Sequence, residues 1–307
     1  VGKQGQICPI LRRIAGLCNE KADKNGLFLP LAQQISLKSD RLQGFLPSPQ
    51  EPIMSQTATF LNQTVLVTGA SSGIGLATTK AFLAQGAAQV YITGRNAERL
   101  QQTARQLGDR VTAIVADAAD LAQLAALKQQ IESDGRTLDA LFVNAGVAHY
   151  NQTGSTSESE YLRIFDTNVK GLFFTVQTLL PVMKAGGNIV LNASVAANKG
   201  MDNMSLYSAS KAAVRSFART WASELRSQKI RVNTISPGVT LTNIQKNGLG
   251  LNDEQIAGFD GFLQQACPAG RMASPDEIAA AVLFLASPAA SYVNGVELAV
   301  DGGFTQI

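Results

Sequence analysis

The sequence predicts an α/β fold: a single doubly wound domain with a seven-stranded parallel sheet flanked by helices. Three observations predict it. From Phe60 onward, short apolar runs alternate with helical runs, and the beat repeats to the end of the chain. The runs read as strands are continuously apolar, as expected of parallel strands covered on both faces. The first of them, Thr64-Val-Leu-Val-Thr68, leads straight into a glycine-rich turn and then a helix, a Rossmann-like arrangement.

The elements follow in order. Ile74 to Gln85 is helical in composition, Gln89-Val-Tyr-Ile-Thr93 a strand, Ala97 to Leu107 a helix and Val111-Thr-Ala-Ile-Val115 a strand. Leu121 to Ile131 places Leu121, Leu124, Leu127 and Ile131 at helical spacing. Leu138 to Val143 is a strand, and Glu158 to Met183 reads as one long helix. Asn188 to Asn192 is a strand, Ser205 to Arg226 a helix and Ile230 to Ile235 a strand. After a loop-rich region come the helix Pro275 to Leu285 and the strand Val296 to Val300. No second periodicity or linker splits residues 60–307, so one domain over 54–307 is expected.

Composition narrows the function. The chain has 307 residues, 45% hydrophobic and 16% charged, an ordinary globular composition. Residues 1–53 hold seven Lys/Arg and four Asp/Glu, while 54–307 hold nineteen of each. The main body is therefore neutral, and no nucleic-acid partner is expected. No 18-residue apolar run is present, so no membrane span is expected. Cys8, Cys18 and Cys267 match no metal or redox spacing, and a reducing, cytoplasmic compartment is expected. The single histidine, His149, excludes a multi-His metal site, and no metal is expected. Residues 1–53 lack a long periodic pattern and end in the Pro-rich Leu46-Pro-Ser-Pro-Gln-Glu-Pro52. They read as an extension outside the core, with Met54 as the expected start of the functional protein.

Two motifs carry chemistry. Tyr207-Ser-Ala-Ser-Lys211 sets a phenol and an ammonium on one helix face. A nearby cation favours the phenolate, which suits a general acid/base. Alone, the pair is more often a packed ring beside a solvated amine. The turn Thr68-Gly-Ala-Ser-Ser-Gly-Ile-Gly75 has glycines at 69, 73 and 75 for close backbone approach, and its helix start offers N–H groups to a phosphate. Thr68, Gly69, Ser71, Ser72, Gly73, Ile74 and Gly75 are the expected cofactor contacts there. The second strand ends in Thr93-Gly94-Arg95, with no carboxylate for a ribose and a cation for a 2′-phosphate. That favours NADP(H) over NAD(H). Asp117, after the third strand, is either an adenine contact or a cap for the next helix.

From about residue 60 to 307 the chain resembles the classical short-chain dehydrogenase/reductase family. The resemblance rests on the turn 68–75, on Asn144-Ala145-Gly146 after the fourth strand, and on Asn168 in Asn-Val-Lys-Gly171. It continues through Ser194, Tyr207-x-x-x-Lys211, Pro237-Gly238 with Val239 and Thr242, and Asp301-Gly-Gly303. Ser72 stands where many NADP-preferring members carry a basic residue. The resemblance implies a hydride transfer between the cofactor and a carbonyl or alcohol substrate. Tyr207 would be the acid/base and Lys211 would lower its pKa. Ser194 would be the oxyanion donor, and Asn168 would hold a water linking Lys211 to solvent. Asn144, Ala145, Gly146, Pro237, Gly238, Val239 and Thr242 would border the cofactor. It also implies a homotetramer or homodimer packed through the long helices near Leu172, Phe173, Phe174, Val176, Phe217 and Trp221.

A second reading, a cofactor-binding sensor with little turnover, would be favoured by a lost catalytic residue, and none is lost. Substrate choice is expected from the loops 147–156, 195–204 and 240–268. The last is Gly-rich, carries a short helix over Asp253 to Gln265 and reads as a lid. His149 lies at the cleft mouth by position, a candidate second proton donor, although an exposed loop histidine is the commoner case.

Overall fold

A computed structural model describes residues 59–307, so the extension 1–53 and the expected start at Met54 lie outside the described residues. The sheet contains β1 (Thr64–Val67), β2 (Gln89–Gly94), β3 (Val111–Val115), β4 (Leu138–Val143), β5 (Met183–Asn192), β6 (Arg231–Pro237) and β7 (Glu297–Val300). Its order is β3-β2-β1-β4-β5-β6-β7, and every pair is parallel. The chain first builds outward from β1 to β3, then returns to lay β4 on the other side of β1. That reversal opens a crevice beyond the carboxyl ends of β1 and β4.

Alternate strand residues feed two cores. Leu66, Tyr91, Leu141 and Ile189 pack with α3 (Leu121–Ser133), α5 (Leu172–Leu179) and α6 (Ser205–Glu224) on one face. Val65, Val67, Val90, Phe142 and Val190 pack with α1 (Gly73–Ala84), α2 (Ala97–Leu107) and α9 (Pro275–Ala286) on the other. Period-two side-chain alternation explains both. It also explains the continuously apolar strands, since each face meets helices.

The expected long helix from Glu158 to Met183 is not continuous. α4 (Glu158–Phe165) passes through a π-helical turn, Asp166–Gly171, into α5, and a 3-10 turn, Leu180–Val182, follows. A Cβ on Gly171 would sit 2.8 Å from the Ala118 carbonyl oxygen, so glycine lets this turn press against the end of β3. Pro181 then stops the helix, as proline does when it removes an N–H from the ladder. β5 starts at Met183, earlier than the apolar run 188–192 suggested, because its first residues pair irregularly with β4 near Leu138.

The expected lid helix is present as α8 (Asp253–Ala266), preceded by one turn, α7 (Ile244–Asn247). Asn252 and Gln255 form a capping box at the start of α8. No helix among the described residues is long and apolar enough to cross a membrane.

Candidate active site

The crevice is a cleft of about 540 Å³. It is lined by the first turn, by the ends of β2 to β6, by α6 and by the lid. Of the expected contacts, Thr68, Gly69, Ser71, Ser72, Gly73, Ile74, Arg95, Asp117, Asn144, Ala145, Gly146, Ser194, Tyr207, Lys211, Pro237, Gly238, Val239 and Thr242 all line it. Gly75 and Asn168 do not.

The turn after β1 is held by side chains that contact backbone. Asn144 donates to the Thr68 and Gly69 carbonyl oxygens at 2.9 and 3.2 Å. Thr68 Oγ1 accepts from the Asn144 and Ala145 N–H groups, both at 2.9 Å. Gly69 has φ +64, and a Cβ there would lie 2.9 Å from Ala145 Cα. Gly73, φ +53, faces Thr242 at 3.1 Å in the same sense. Both positions require glycine, for conformation and for room. Gly75 lies just off the cleft lining. A Cβ on it would strike the Gly69 carbonyl oxygen and come within 2.7 Å of Asn144 Nδ2. Its role is to let α1 pack under the turn.

Ser72 precedes α1 in an extended conformation and makes no side-chain cap. The N–H groups of the first turn are thus left for a phosphate. Arg95 is exposed on the cleft edge. Asp117 does not cap the following helix: Asp120 does, accepting from Ala122 and Gln123. Asp117 instead accepts from Ala119 N at 3.0 Å and stays on the cleft wall. These features fit a nicotinamide dinucleotide: an uncapped helix start, a cradle that Cβ atoms would fill, and a cation at the end of β2.

The reactive groups meet at the carboxyl end of β5. The Tyr207 phenol and the Ser194 hydroxyl interact side chain to side chain. Ser194 Oγ also accepts from Ala196 N at 3.2 Å, so it caps its own turn while facing the phenol. Packing around Tyr207 raises its pKa, and the Ser194 hydrogen bond works against that rise. Lys211 is buried; burial pushes its ammonium down to about 8. Its Nζ donates to the Asn192 carbonyl oxygen at 2.7 Å and lies 5.7 Å from the Tyr207 ring centre. Burial of the phenol is the largest influence on the Tyr207 pKa, and Lys211 is held by β5.

Asn168 braces the same end of the cleft. It sits buried in the π turn; its Oδ1 accepts from Val147 N at 2.8 Å and its Nδ2 donates to Val147 O at 2.9 Å and Ser210 Oγ at 3.0 Å. Ser210 Oγ in turn donates to the Tyr207 carbonyl oxygen at 2.7 Å. The carboxamide is occupied in bracing the Gly146–Val147 strand end against α6. A Cβ on Gly146 would meet Asn168 Oδ1 at 3.2 Å and Lys211 Nζ at 3.4 Å, which places all three in contact.

Two residues escaped the sequence reading. Asn192 donates to Asn144 Oδ1 at 2.8 Å and offers its carbonyl to Lys211, so it joins both halves of the cleft. Asn151 is buried in the loop after β4, donating to Thr156 Oγ1 at 3.0 Å and Ser205 Oγ at 2.8 Å. It accepts from Leu206 N at 3.1 Å. It thereby caps α6, whose own N-cap, Met204, has no capping oxygen. An Asn after a strand gives no local signal of a partner 55 residues away. His149 does not line the cleft; it lies 3.7 Å from Glu160 on α4, so its expected place at the mouth is corrected.

Comparison with known proteins agrees with this geometry. Residues 69–305 match the family described as "Enoyl-(Acyl carrier protein) reductase". "Oxidoreductase asL5" of Sarocladium schorii is 38% identical over 256 residues, 83% of this chain and 100% of that protein. A solved "short chain dehydrogenase/reductase family protein" is 40% identical with a TM-score of 0.72, covering 81% of this chain and 100% of its own. A "blue fluorescent protein from metagenomic library in complex with NADPH" is 31% identical with a TM-score of 0.73, covering 80% and 99%. The chain belongs to the short-chain dehydrogenase/reductase family of oxidoreductases, which use a nicotinamide cofactor.

Proposed function

We propose that this protein is an NADP(H)-dependent carbonyl reductase or secondary alcohol dehydrogenase. One observation carries the reading: Tyr207 and Ser194 stand together in the same cleft as the glycine turn, with Lys211 beside them. A bound nicotinamide would supply the hydride. The protein's part is position and proton. Ser194 would hold the substrate oxygen by a hydrogen bond that strengthens as charge develops there. Tyr207, kept protonated by its raised pKa, would give that oxygen its proton. Lys211 would keep a positive charge next to the reacting region, and Asn192 fixes where that charge sits. Asn168 would hold the wall still and not contact substrate.

Arg95 and the absence of a carboxylate at the end of β2 support NADP(H) over NAD(H). The NADPH complex of the structural relative is consistent with that choice. Residues 54–307 would form the catalytic unit. Exposed Tyr161 and Leu162 on α4, with half-buried Phe173 and Phe217, support a homotetramer or homodimer packed through α4 to α6. The cytoplasm is the expected compartment. The test follows NADPH and NADH absorbance with ketones, aldehydes, quinones and 3-oxoacyl thioesters. NADPH consumption that falls by about 10²–10⁴-fold in Tyr207→Phe is expected. Consumption that survives in the variant would overturn the acid/base assignment, and faster use of NADH would overturn the cofactor assignment.

A further inference from the structure

The substrate end of the cleft is formed by the loops after β4, β5 and β6. Those segments, 147–156, 195–204 and 240–268, contain seven acidic, basic or histidine side chains: one His, two Lys, three Asp and one Glu. None of the seven lines the cleft. Four are engaged elsewhere. His149 lies against Glu160. Lys199 donates to the Phe304 carbonyl at 3.3 Å and lies 4.1 Å from that ring's centre. Lys246 pairs with Asp253. These loops present to the cleft the ring of Tyr150 and the apolar Met201, Met204, Leu249 and Phe259, with the uncharged amides of Asn243, Gln245 and Asn247 beside them. Tyr150 keeps 37% of its surface exposed, so its ring is free to meet a ligand.

From this wall we infer the substrate class: an uncharged ketone carrying an apolar ring, seated between Tyr150 and Phe259 with the two methionines beneath it. The inference deepens the reductase reading and rests on it for the chemistry. The ketone carbon would take hydride from NADPH, and its oxygen the Tyr207 proton. The products are the secondary alcohol and NADP⁺, and solvent restores the proton. An aromatic face and polarisable thioethers suit a flat ring and adapt to its outline. A carboxylate or phosphate on the substrate would enter a site whose loops offer it no counter-charge, and burying an unpaired charge is unfavourable. The cation that could reverse this is Arg163, which reaches the cleft from α4.

Four probes separate the outcomes: 1-tetralone, cyclohexanone, and 4-oxocyclohexanecarboxylate as the charged analogue of the second, each with NADPH, plus the Arg163→Ala protein. The expected order of kcat/KM is tetralone above cyclohexanone, and cyclohexanone at least about tenfold above the carboxylate. Tyr150→Ala and Phe259→Ala should each erase most of the tetralone advantage. Binding is read separately by ligand-observed saturation-transfer NMR on Tyr207→Phe, which holds ligand without turning it over. Transfer to tetralone and none to the carboxylate supports the inference even if no ketone is reduced, an outcome that would instead sink the reductase reading. A carboxylate that binds or turns over better than cyclohexanone, and loses that preference in Arg163→Ala, overturns the inference. So does the absence of any tetralone binding.

Discussion

At the cofactor end of the cleft, backbone meets backbone. Gly69 lies against Ala145, Gly75 against the Gly69 carbonyl, and Asn144 bonds to two carbonyl oxygens of the turn. At the substrate end, side chains from three separate loops face one another across open space, and the lid contributes Leu249 and Phe259. The first region has little room to vary: an added methyl group at Gly69 or Gly75 meets main chain, and one at Gly73 meets the Thr242 side chain. The second can exchange side chains without disturbing the sheet. One fold can thus hold a fixed cofactor and a variable substrate because its tolerances differ across a single cleft.

The sharpest way to break the contrast is to place a methyl group at the rigid end. Gly75→Ala should push Asn144 off its carbonyl partners, since the new Cβ would lie 2.7 Å from Asn144 Nδ2. Overpacking of this kind costs about 1–3 kcal/mol. The melting temperature should drop by several degrees and NADPH affinity by at least about tenfold, read by thermal unfolding and by titration. A variant with unchanged affinity would show that Asn144 is not what holds the turn. Phe259→Ala, at the tolerant end, should leave NADPH affinity intact.

A smaller effect separates the proton machinery from both ends. Lys211 is held near 8, below the ordinary lysine value, by burial. Tyr207 is shifted the other way and stays protonated through neutral and mildly alkaline pH. Reduction should therefore hold level below about pH 8 and decline above it, as Lys211 loses its charge. Stability should move in the opposite sense. A lysine whose folded pKa is depressed opposes folding while the unfolded chain binds the extra proton, and that penalty fades as pH rises from about 8 toward about 10.4. Lys211→Met should flatten the stability slope in that window.

How much of this was legible depended on whether a contact is local in sequence. The glycine turn, the Tyr207–Lys211 pair and the alternating elements are local patterns, and their positions agree with the structure. The break in the long helix was less visible: Pro181 marks its end, but the π turn at Asp166–Gly171 arises from the close approach of Gly171 to Ala118, a contact across the fold. Asn168 was placed correctly in sequence, yet its function as a brace depends on Val147 and Ser210, which no spacing rule connects to it. Asn192 and Asn151 went unnoticed for the same reason. The Asp117 alternative was resolved only when Asp120 was seen to hold the cap.

Asn151 lets that distinction be tested. Its Oδ1 caps α6 at Leu206, next to Tyr207, from a loop whose neighbour Tyr150 lines the substrate wall. Asn151→Ala should lose about 1 kcal/mol of stability, as for a lost cap, and lower kcat several-fold with NADPH affinity unchanged. Asn151→Asp keeps the accepting oxygen and should recover most of the rate. Failure of that rescue would mean that the donors to Thr156 and Ser205 carry the effect.

The smallest expected change is at His149, and its smallness is informative. The residue belongs to the same loop as Tyr150 and Asn151, but its ring lies 3.7 Å from Glu160 and off the cleft lining. Both partners are partly exposed, and such pairs contribute little, roughly 0–1 kcal/mol. His149→Ala should leave KM for the best ketone within about twofold, given that small interaction energy. A several-fold rise in KM would bring His149 into the site. The inference that the substrate wall carries no charged loop residue would then have to be withdrawn.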